Sequence, residues 1–246
     1  MRTHNTEIGA GQVLSTGDKT RLVVPAADSS SYHDAQITDY TLADRDFVWG
    51  PGTHLSVTAQ FNTADVRGTA GFGFWNHPFS PEMCGLPRLP QAAWFFYGSP
   101  PHNIPLAKGV PGAGWKAATL NATRWQFMGL APLALPGFLL MRVPAVYNAL
   151  WPVGQDAIGV RECLLPPDIM TERHTYTIDW REDEIVFGVD GDAVLVSPFR
   201  QRGRMGFIAW VDNQYAVVTP QGNFGWGLLD VPGEQSLSLY EIGCVR

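Results

Sequence analysis

The residues best suited to chemistry follow two aromatic segments. Asp212 begins a polar stretch, residues 212–215, two positions after Trp210, and His77 lies two positions after Trp75. Apolar surroundings raise the pKa of a carboxyl, which suits a general base or a group that orients a ligand hydroxyl. Asp212 and His77 are therefore the candidate catalytic residues. The same Asp-Asn sequence is equally typical of a turn between strands.

Other catalytic and metal-binding patterns are missing from the sequence. No two histidines have metal-ligand spacing, and GxSxG, P-loop and dinucleotide motifs are absent. Cys84, Cys163 and Cys244 are too far apart for a zinc site, and their odd number does not fit a disulfide framework. We expect free thiols, no metal site and no cofactor, with structural calcium left open.

Charge and length exclude several classes of function. The 246 residues carry 17 Lys and Arg against 23 Asp and Glu, a net charge of −6. The only basic cluster is Arg200, Arg202 and Arg204, too few for a phosphate-backbone binder. Nucleic acid and anionic membranes are therefore not expected partners.

No membrane-spanning or secretory segment is expected. Residues 127–155 carry a single charge, Arg142, but prolines at 132, 136, 144 and 152 divide them into pieces too short to cross a bilayer. Residues 1–10 lack the apolar core of a signal peptide, which predicts a cytoplasmic protein.

Alternation of apolar and polar residues dominates the rest of the chain and predicts strands. Asp190-Gly191 separates two such segments and is typical of a two-residue hairpin turn. About ten short strands with turns between them predict a single all-β domain over residues 1–246, a sandwich of two antiparallel sheets. The clearest predicted strands are residues 54–61, 69–77, 91–97, 174–180, 185–190, 205–212, 214–219 and 236–242.

One stretch, residues 115–162, departs from this pattern. It is rich in Leu, Ala, Met and Phe and is interrupted by prolines, so we expect an apolar, partly helical insertion. Such a segment must bury its apolar surface. It could pack on the sandwich edge, form a homodimer interface, or cover a ligand as a lid.

The predicted hairpin carries a family resemblance. Residues 174–180 (HTYTIDW) and 183–191 (DEIVFGVDG) resemble the H-x-Y-x-I-x-W and I-x-F-x-V-D-G hairpin of glycoside hydrolase family 16, the laminarinase-like enzymes. Residues 53–61, 71–75 and 236–242 are similar to other strands of that family. The resemblance implies a concanavalin A-like jelly roll whose concave sheet holds a substrate cleft.

The family's catalytic carboxylates are missing. Its chemistry resides in a Glu-x-Asp-x-x-Glu strand, and a retaining glycosidase needs two carboxyls about 5–5.5 Å apart. In the corresponding strand, residues 89–97, Gln91 replaces the nucleophile, Ala93 the aspartate and Phe96 the acid/base. Family-16-type hydrolysis is therefore not expected.

The resemblance implies an aromatic cleft with few polar groups. His102 is expected at the cleft edge, whereas the tryptophans could equally belong to the core between the sheets. The candidate ligand-binding residues are Trp75, Gln91, Phe95, Tyr97, Trp210, Asn213 and Tyr215.

Three functions are compatible with these residues. The first is binding of a largely apolar small molecule in an enclosed cleft, with isomerisation or cyclisation as a possible reaction. The second is a non-catalytic, lectin-like module that binds glycans. The third is a glycosidase with relocated carboxylates, drawn from Asp212, Glu82 or Glu162.

Overall fold

A computed structural model describes residues 1–78 and 88–246. Glu82 and Cys84 lie outside the described residues. The strands are β1 (His4–Ile8), β2 (Gln12–Thr16), β3 (Lys19–Val24), β4 (Asp34–Thr38), β5 (Thr53–Phe61), β6 (Thr69–Trp75), β7 (Gln91–Gly98), β8 (Gly114–Asn121), β9 (Arg161–Leu164), β10 (His174–Trp180), β11 (Ile185–Val189), β12 (Asp192–Ser197), β13 (Gly206–Asp212), β14 (Gln214–Val218), β15 (Phe224–Leu228) and β16 (Gln235–Val245). The helices are α1 (Trp125–Leu130), α2 (Ala134–Leu140) and α3 (Pro144–Ala157), with 3-10 turns at Ala131–Leu133 and Pro167–Met170.

Fourteen of these strands form two antiparallel sheets. Sheet A has the order β1-β4-β13-β6-β7-β8-β9, and sheet B has the order β12-β11-β10-β5-β16-β3-β2. Strands β14 and β15 form a separate hairpin. The predicted all-β sandwich is therefore confirmed.

Aromatic side chains fill the space between the sheets. Strand β5 alternates buried and half-buried positions along its whole length, as a strand with one face on a core must. From sheet A, Phe72 and Phe95 point inward and meet Tyr176 of sheet B, with ring centroids 5.2 and 4.9 Å apart respectively. Both sheets thus contribute to one core cluster.

The Asp190-Gly191 hairpin forms as expected. Asp190 has φ 52° and Gly191 φ 93°, and the flanking residues Val189 and Asp192 pair directly. Both central residues of a type I′ turn require positive φ. The Asp190 carboxylate also accepts a hydrogen bond from the Thr175 backbone N–H, which ties the turn to β10.

The helical insertion is shorter than expected. Residues 114–121 and 161–164 form β8 and β9, so the insertion occupies residues 122–160 between them. The Trp151 Nε1–H of α3 donates a hydrogen bond to the Leu106 carbonyl, which holds the insertion against the loop between β7 and β8. None of the helices in residues 1–78 and 88–246 is long and apolar enough to cross a membrane.

Candidate aromatic binding site on sheet A

The candidate site lies on the outer face of sheet A, the face turned away from sheet B. Register pairs share a face, so Trp75 faces outward with Ala92, and Gly73 faces outward with Trp94. The intervening residues of both strands point into the core. The resemblance implies a cleft on the concave sheet, and β7, which it makes the counterpart of the acid-bearing strand, belongs to sheet A.

Two glycines of β6 make room for large rings on this face. A Cβ on Gly71 would lie 3.0 Å from the Trp210 ring, and a Cβ on Gly73 would lie 2.6 Å from the Trp94 Cα. Gly73 also has φ 147°, which disfavours any side chain there. The GFGFW sequence of β6 therefore alternates core phenylalanines with positions that neighbouring indoles cover.

Four rings form a continuous surface, which we call the aromatic platform: Trp75, Trp94, Phe96 and Trp210. Trp75 stacks on Trp94 with centroids 4.7 Å apart, and Trp94 lies 5.4 Å from both Phe96 and Trp210. Trp210 is buried, and the other three rings are half-buried. The platform therefore presents aromatic surface to solvent across β6 and β7, with the buried Trp210 of β13 packed beside it.

Strand β7 brings no carboxylate to this face. Its outward positions are Ala92, Trp94 and Phe96. The prediction that Phe95 and Tyr97 line the cleft is wrong: both belong to the core cluster, because they alternate with the outward positions. Gln91 shares their side of the strand and lies at its end, where a Cβ on Gly203 would touch its amide.

Asp212 lies at one end of the platform and is completely buried. Its Oδ1 accepts hydrogen bonds from the Thr69 backbone N–H and hydroxyl at 3.0 and 2.9 Å, and its Oδ2 accepts one from the Gln214 amide at 2.8 Å. Burial raises the pKa of Asp212 to about 6, against the lowering effect of these donors. Both oxygens thus already hold the start of β14 against β6.

A second carboxyl that the sequence did not reveal faces Asp212. Asp34 of β4 is its direct register partner and is also buried, with Oδ1 lacking a hydrogen-bond partner. Burial and the nearby Asp212 carboxylate raise the pKa of Asp34 well above its usual value. Tyr32 donates to the Asp212 Oδ2 at 3.4 Å from the same side. No sequence motif links Asp34 to Asp212, because only strand pairing brings them together.

His77 lies at the opposite end of the platform. Its Nδ1 is 3.0 Å from the Tyr40 hydroxyl, and burial lowers its pKa to about 4. Trp75 pairs with Gly206 at the start of β13, whereas Asp212 ends that strand. Six residues of strand separate these ends by roughly 20 Å. His77 and Asp212 therefore cannot act on the same bond.

Asn213 and Tyr215 have packing partners of their own. The Asn213 amide donates to the carbonyls of Ser31 and Leu229, and its Oδ1 accepts from the His33 N–H. The Tyr215 ring covers Gly227 in the neighbouring strand of the hairpin. These contacts anchor the β14–β15 hairpin to the sandwich.

His102, expected at the cleft edge, is buried beside Phe96. Its ring covers Gly98, whose Cβ would lie 2.5 Å from it, and its centroid is 5.2 Å from that of Phe96. Nδ1 accepts a hydrogen bond from the Ala216 N–H, so the neutral ring carries its proton on Nε2, which has no partner. Burial lowers the pKa of His102 to about 4.

A buried ion pair closes the far edge of the face. The Lys116 ammonium lies 3.1 Å from the Glu162 carboxylate, and both side chains are buried. Glu162 is four strands from Asp212, roughly 19 Å at the usual strand spacing. That separation is too large for the 5–9.5 Å of a glycosidase acid pair. Relocated carboxylates at Asp212 and Glu162 are therefore excluded as a pair.

Metal ligands are not grouped in the part of the chain that the structure describes. Residues 1–78 and 88–246 contain no cluster of three or more His, Cys, Asp or Glu side chains that could hold an ion. Cys163 and Cys244 are free thiols.

Comparisons with known proteins agree with this fold. The family model for Glycosyl hydrolases family 16 matches residues 147–209, about a quarter of the chain, and this segment contains the β10–β11 hairpin. No curated protein matches the chain. The resemblance to family 16 is confirmed over that segment.

Solved structures show the same architecture at low sequence identity. One belongs to the endo-acting O-glycanases that members of the human gut microbiota express to initiate mucin breakdown; it is 13% identical with a TM-score of 0.52, over 96% of this chain and 83% of that one. A glycoside hydrolase family protein from Mycobacterium thermorestibile is 13% identical with a TM-score of 0.50, over 92% and 76%. These similarities support the fold alone.

Proposed function

We propose that the chain is a non-hydrolytic carbohydrate-binding protein that holds a glycan on the aromatic platform. The observation that carries the proposal is the outer face of β7, where Ala92, Trp94 and Phe96 stand and no carboxyl does. The resemblance to family 16 makes β7 the counterpart of that family's acid-bearing strand. In the part of the chain that the structure describes, the two carboxyls nearest the platform, Asp34 and Asp212, are both buried, so neither is placed to protonate or attack a glycosidic bond held on the exposed rings.

The exposed rings suit the apolar face of a sugar. Trp75, Trp94 and Phe96 are half-buried and adjacent, so a pyranose ring can pack flat against them while its hydroxyls stay in water. The His102 ring packs beside Phe96 and is itself buried, so it supports the platform rather than contacting the ligand. The match to a glycosidase family model also favours a carbohydrate ligand.

Binding of an apolar small molecule is the second candidate. It is favoured by the scarcity of free polar groups near the platform, since the oxygens of Asp212 and the ammonium of Lys116 are already bonded. The expected lid is not supported by the insertion, whose side chains at Trp125 and Leu135 are 78% exposed. Isomerisation or cyclisation remains a prediction that depends on this candidate.

Titration calorimetry with laminarin, xylan and carboxymethyl cellulose tests the proposal. We expect one of these polysaccharides to bind, Trp75→Ala to weaken binding about tenfold through the lost stacking surface, and no reducing ends to appear. Trp125→Ala is the matched control, because Trp125 is exposed and lies outside the platform. If none binds and an apolar dye binds in a Trp75-dependent way, the second candidate replaces the first.

A further inference from the structure

The helical insertion exposes apolar side chains to an unusual degree. Trp125 of α1 and Leu135 of α2 are each 78% exposed, and Leu139 is 62% exposed. Neither α1 nor α2 buries any residue. These short helices therefore do not gain their stability from a packed apolar stripe, and their apolar surface faces outward.

The β14–β15 hairpin continues this surface. The Phe138 and Phe224 rings meet edge to face with centroids 5.4 Å apart, and the Arg142 Nε donates to the Gln221 carbonyl. Beyond this junction, Trp226 is 81% exposed. We call the combined surface the apolar face; its most exposed members are Trp125, Leu133, Leu135, Leu139, Phe224 and Trp226.

Charge is distributed unevenly around the apolar face. Residues 98–155 contain no Asp or Glu, and residues 213–229 contain no charged residue, although the chain as a whole has 23 acids and 17 bases. Lys116 is neutralised by Glu162. Arg124 lies beside Asp156; burial lowers the pKa of Arg124, and the Asp156 carboxylate acts to raise it. Lys108 and Arg142 donate instead to the backbone carbonyls of Asn148 and Gln221. The net charge of −6 thus conceals a locally basic, apolar surface.

We propose that the apolar face docks on a bilayer surface that contains anionic lipid. Exposed Trp and Leu side chains insert about 5–10 Å into the boundary between headgroups and acyl chains, as interfacial helices do, and Trp favours that depth. Lys108 and Arg142 then lie near the lipid phosphates. The platform's glycan site and this face use different residues.

The charge pattern favours lipid over a second copy of the chain. An isologous dimer would bring the same face of two protomers together, placing the Arg142 guanidiniums on one surface with no carboxylate from either segment to pair them. An anionic headgroup layer supplies the missing negative charge. It also adapts to the irregular helices, which need no fixed partner surface.

Vesicle co-sedimentation of the full chain tests this docking. We expect binding to phosphatidylcholine vesicles containing 30% phosphatidylglycerol, at least tenfold weaker binding to pure phosphatidylcholine, and weakening by added salt. Leu135→Ser/Leu139→Ser/Trp226→Ser should reduce binding at least tenfold without unfolding, because all three side chains are exposed. The matched control is Leu14→Ser/Val245→Ser, two exposed apolar positions on sheet B.

Tryptophan fluorescence measures insertion into the vesicles, and light scattering measures the oligomeric state of the protein. A Trp emission blue shift with vesicles, lost with Trp226→Ser, supports insertion. The proposal is overturned if the wild-type protein binds neither the phosphatidylglycerol-containing nor the pure phosphatidylcholine vesicles, or if the triple variant binds as tightly as the wild-type protein. A wild-type dimer that becomes monomeric in the triple variant, with no vesicle binding, would assign the apolar face to a second copy instead.

Discussion

Asp34 and Asp212 lie directly opposite each other on neighbouring strands, on the same face of sheet A, and both are buried. Asp212 accepts three hydrogen bonds on Oδ1 alone, whereas the Oδ1 of Asp34 has no donor. Two carboxylates so placed cannot both ionise cheaply, so the pair holds a proton that an exposed carboxyl would release.

The buried Asp34–Asp212 pair should make the free energy of unfolding decrease as pH rises. A native pKa of about 6 for Asp212, above the unfolded value of 3.8, means that the native state binds more protons between these values. The stabilisation is complete below pH 3.8 and is lost as pH rises through 6, an effect of roughly 3 kcal/mol for one such group. The pKa of Asp34, which burial and Asp212 raise well above its usual value, adds a dependence of the same sign. Asp34→Asn removes that part, so it should stabilise the protein at pH 8 and flatten the pH dependence without abolishing it, as measured by urea unfolding between pH 4 and 8.

The exposed Asp18 supplies the control for that experiment. Asp18→Asn removes the same charge from the surface and should leave the pH dependence of unfolding unchanged. An Asp34→Asn protein that is less stable than wild type at pH 8 would show that the Asp34 carboxylate is stabilising, contrary to the argument.

The buried ion pair between Lys116 and Glu162 predicts a strongly non-additive mutant cycle. Lys116→Met leaves Glu162 buried without its cation and should cost about 3–5 kcal/mol of unfolding free energy. Adding Glu162→Gln removes the stranded charge and should recover most of that loss. Urea unfolding of the two single variants and the double variant measures the coupling, and additive losses would contradict it.

The strands of the two sheets could be predicted from the sequence wherever apolar and polar side chains alternate strongly. Strands β5 and β10 alternate cleanly and were predicted nearly to their ends, whereas β1 and β2 are mostly exposed and carry little pattern. Strand β4 is buried at all five positions, so it shows no alternation either.

The site was harder to predict because face assignment depends on register. A shift of one residue moves every side chain to the other face. Treating Gln91 as cleft-facing placed Phe95 and Tyr97 there too, while the outward positions of β7 are Trp94 and Phe96. Asp34 could not be predicted as a site residue, because it is a single carboxylate in a strand that the sequence pattern does not reveal.

Replacing Gly73 with alanine should disrupt the aromatic platform, because the added Cβ would clash with the backbone of β7. An alanine Cβ there would lie 2.5 Å from the Ala93 carbonyl oxygen and 2.6 Å from the Trp94 Cα, both backbone atoms, at a φ of 147°. Gly73→Ala should therefore destabilise the protein by several kcal/mol. Gly17→Ala is a control for positive φ alone, because nothing lies within 4 Å of its Cβ. Thermal unfolding with near-UV circular dichroism should show a larger loss, with changed tryptophan signals, only for Gly73→Ala.

The His102 ring should stay neutral at pH values well below the usual pKa of histidine. The native pKa of about 4 lies below the unfolded value of 6.5, so its contribution to stability is complete above pH 6.5 and is lost as pH falls through 4. Two-dimensional nitrogen-15 NMR should show Nε2 protonated and Nδ1 unprotonated from pH 7 to 5, with the exposed His4 as the internal comparison. A His102 ring whose Nδ1 becomes protonated between pH 7 and 5 would contradict the effect of its burial.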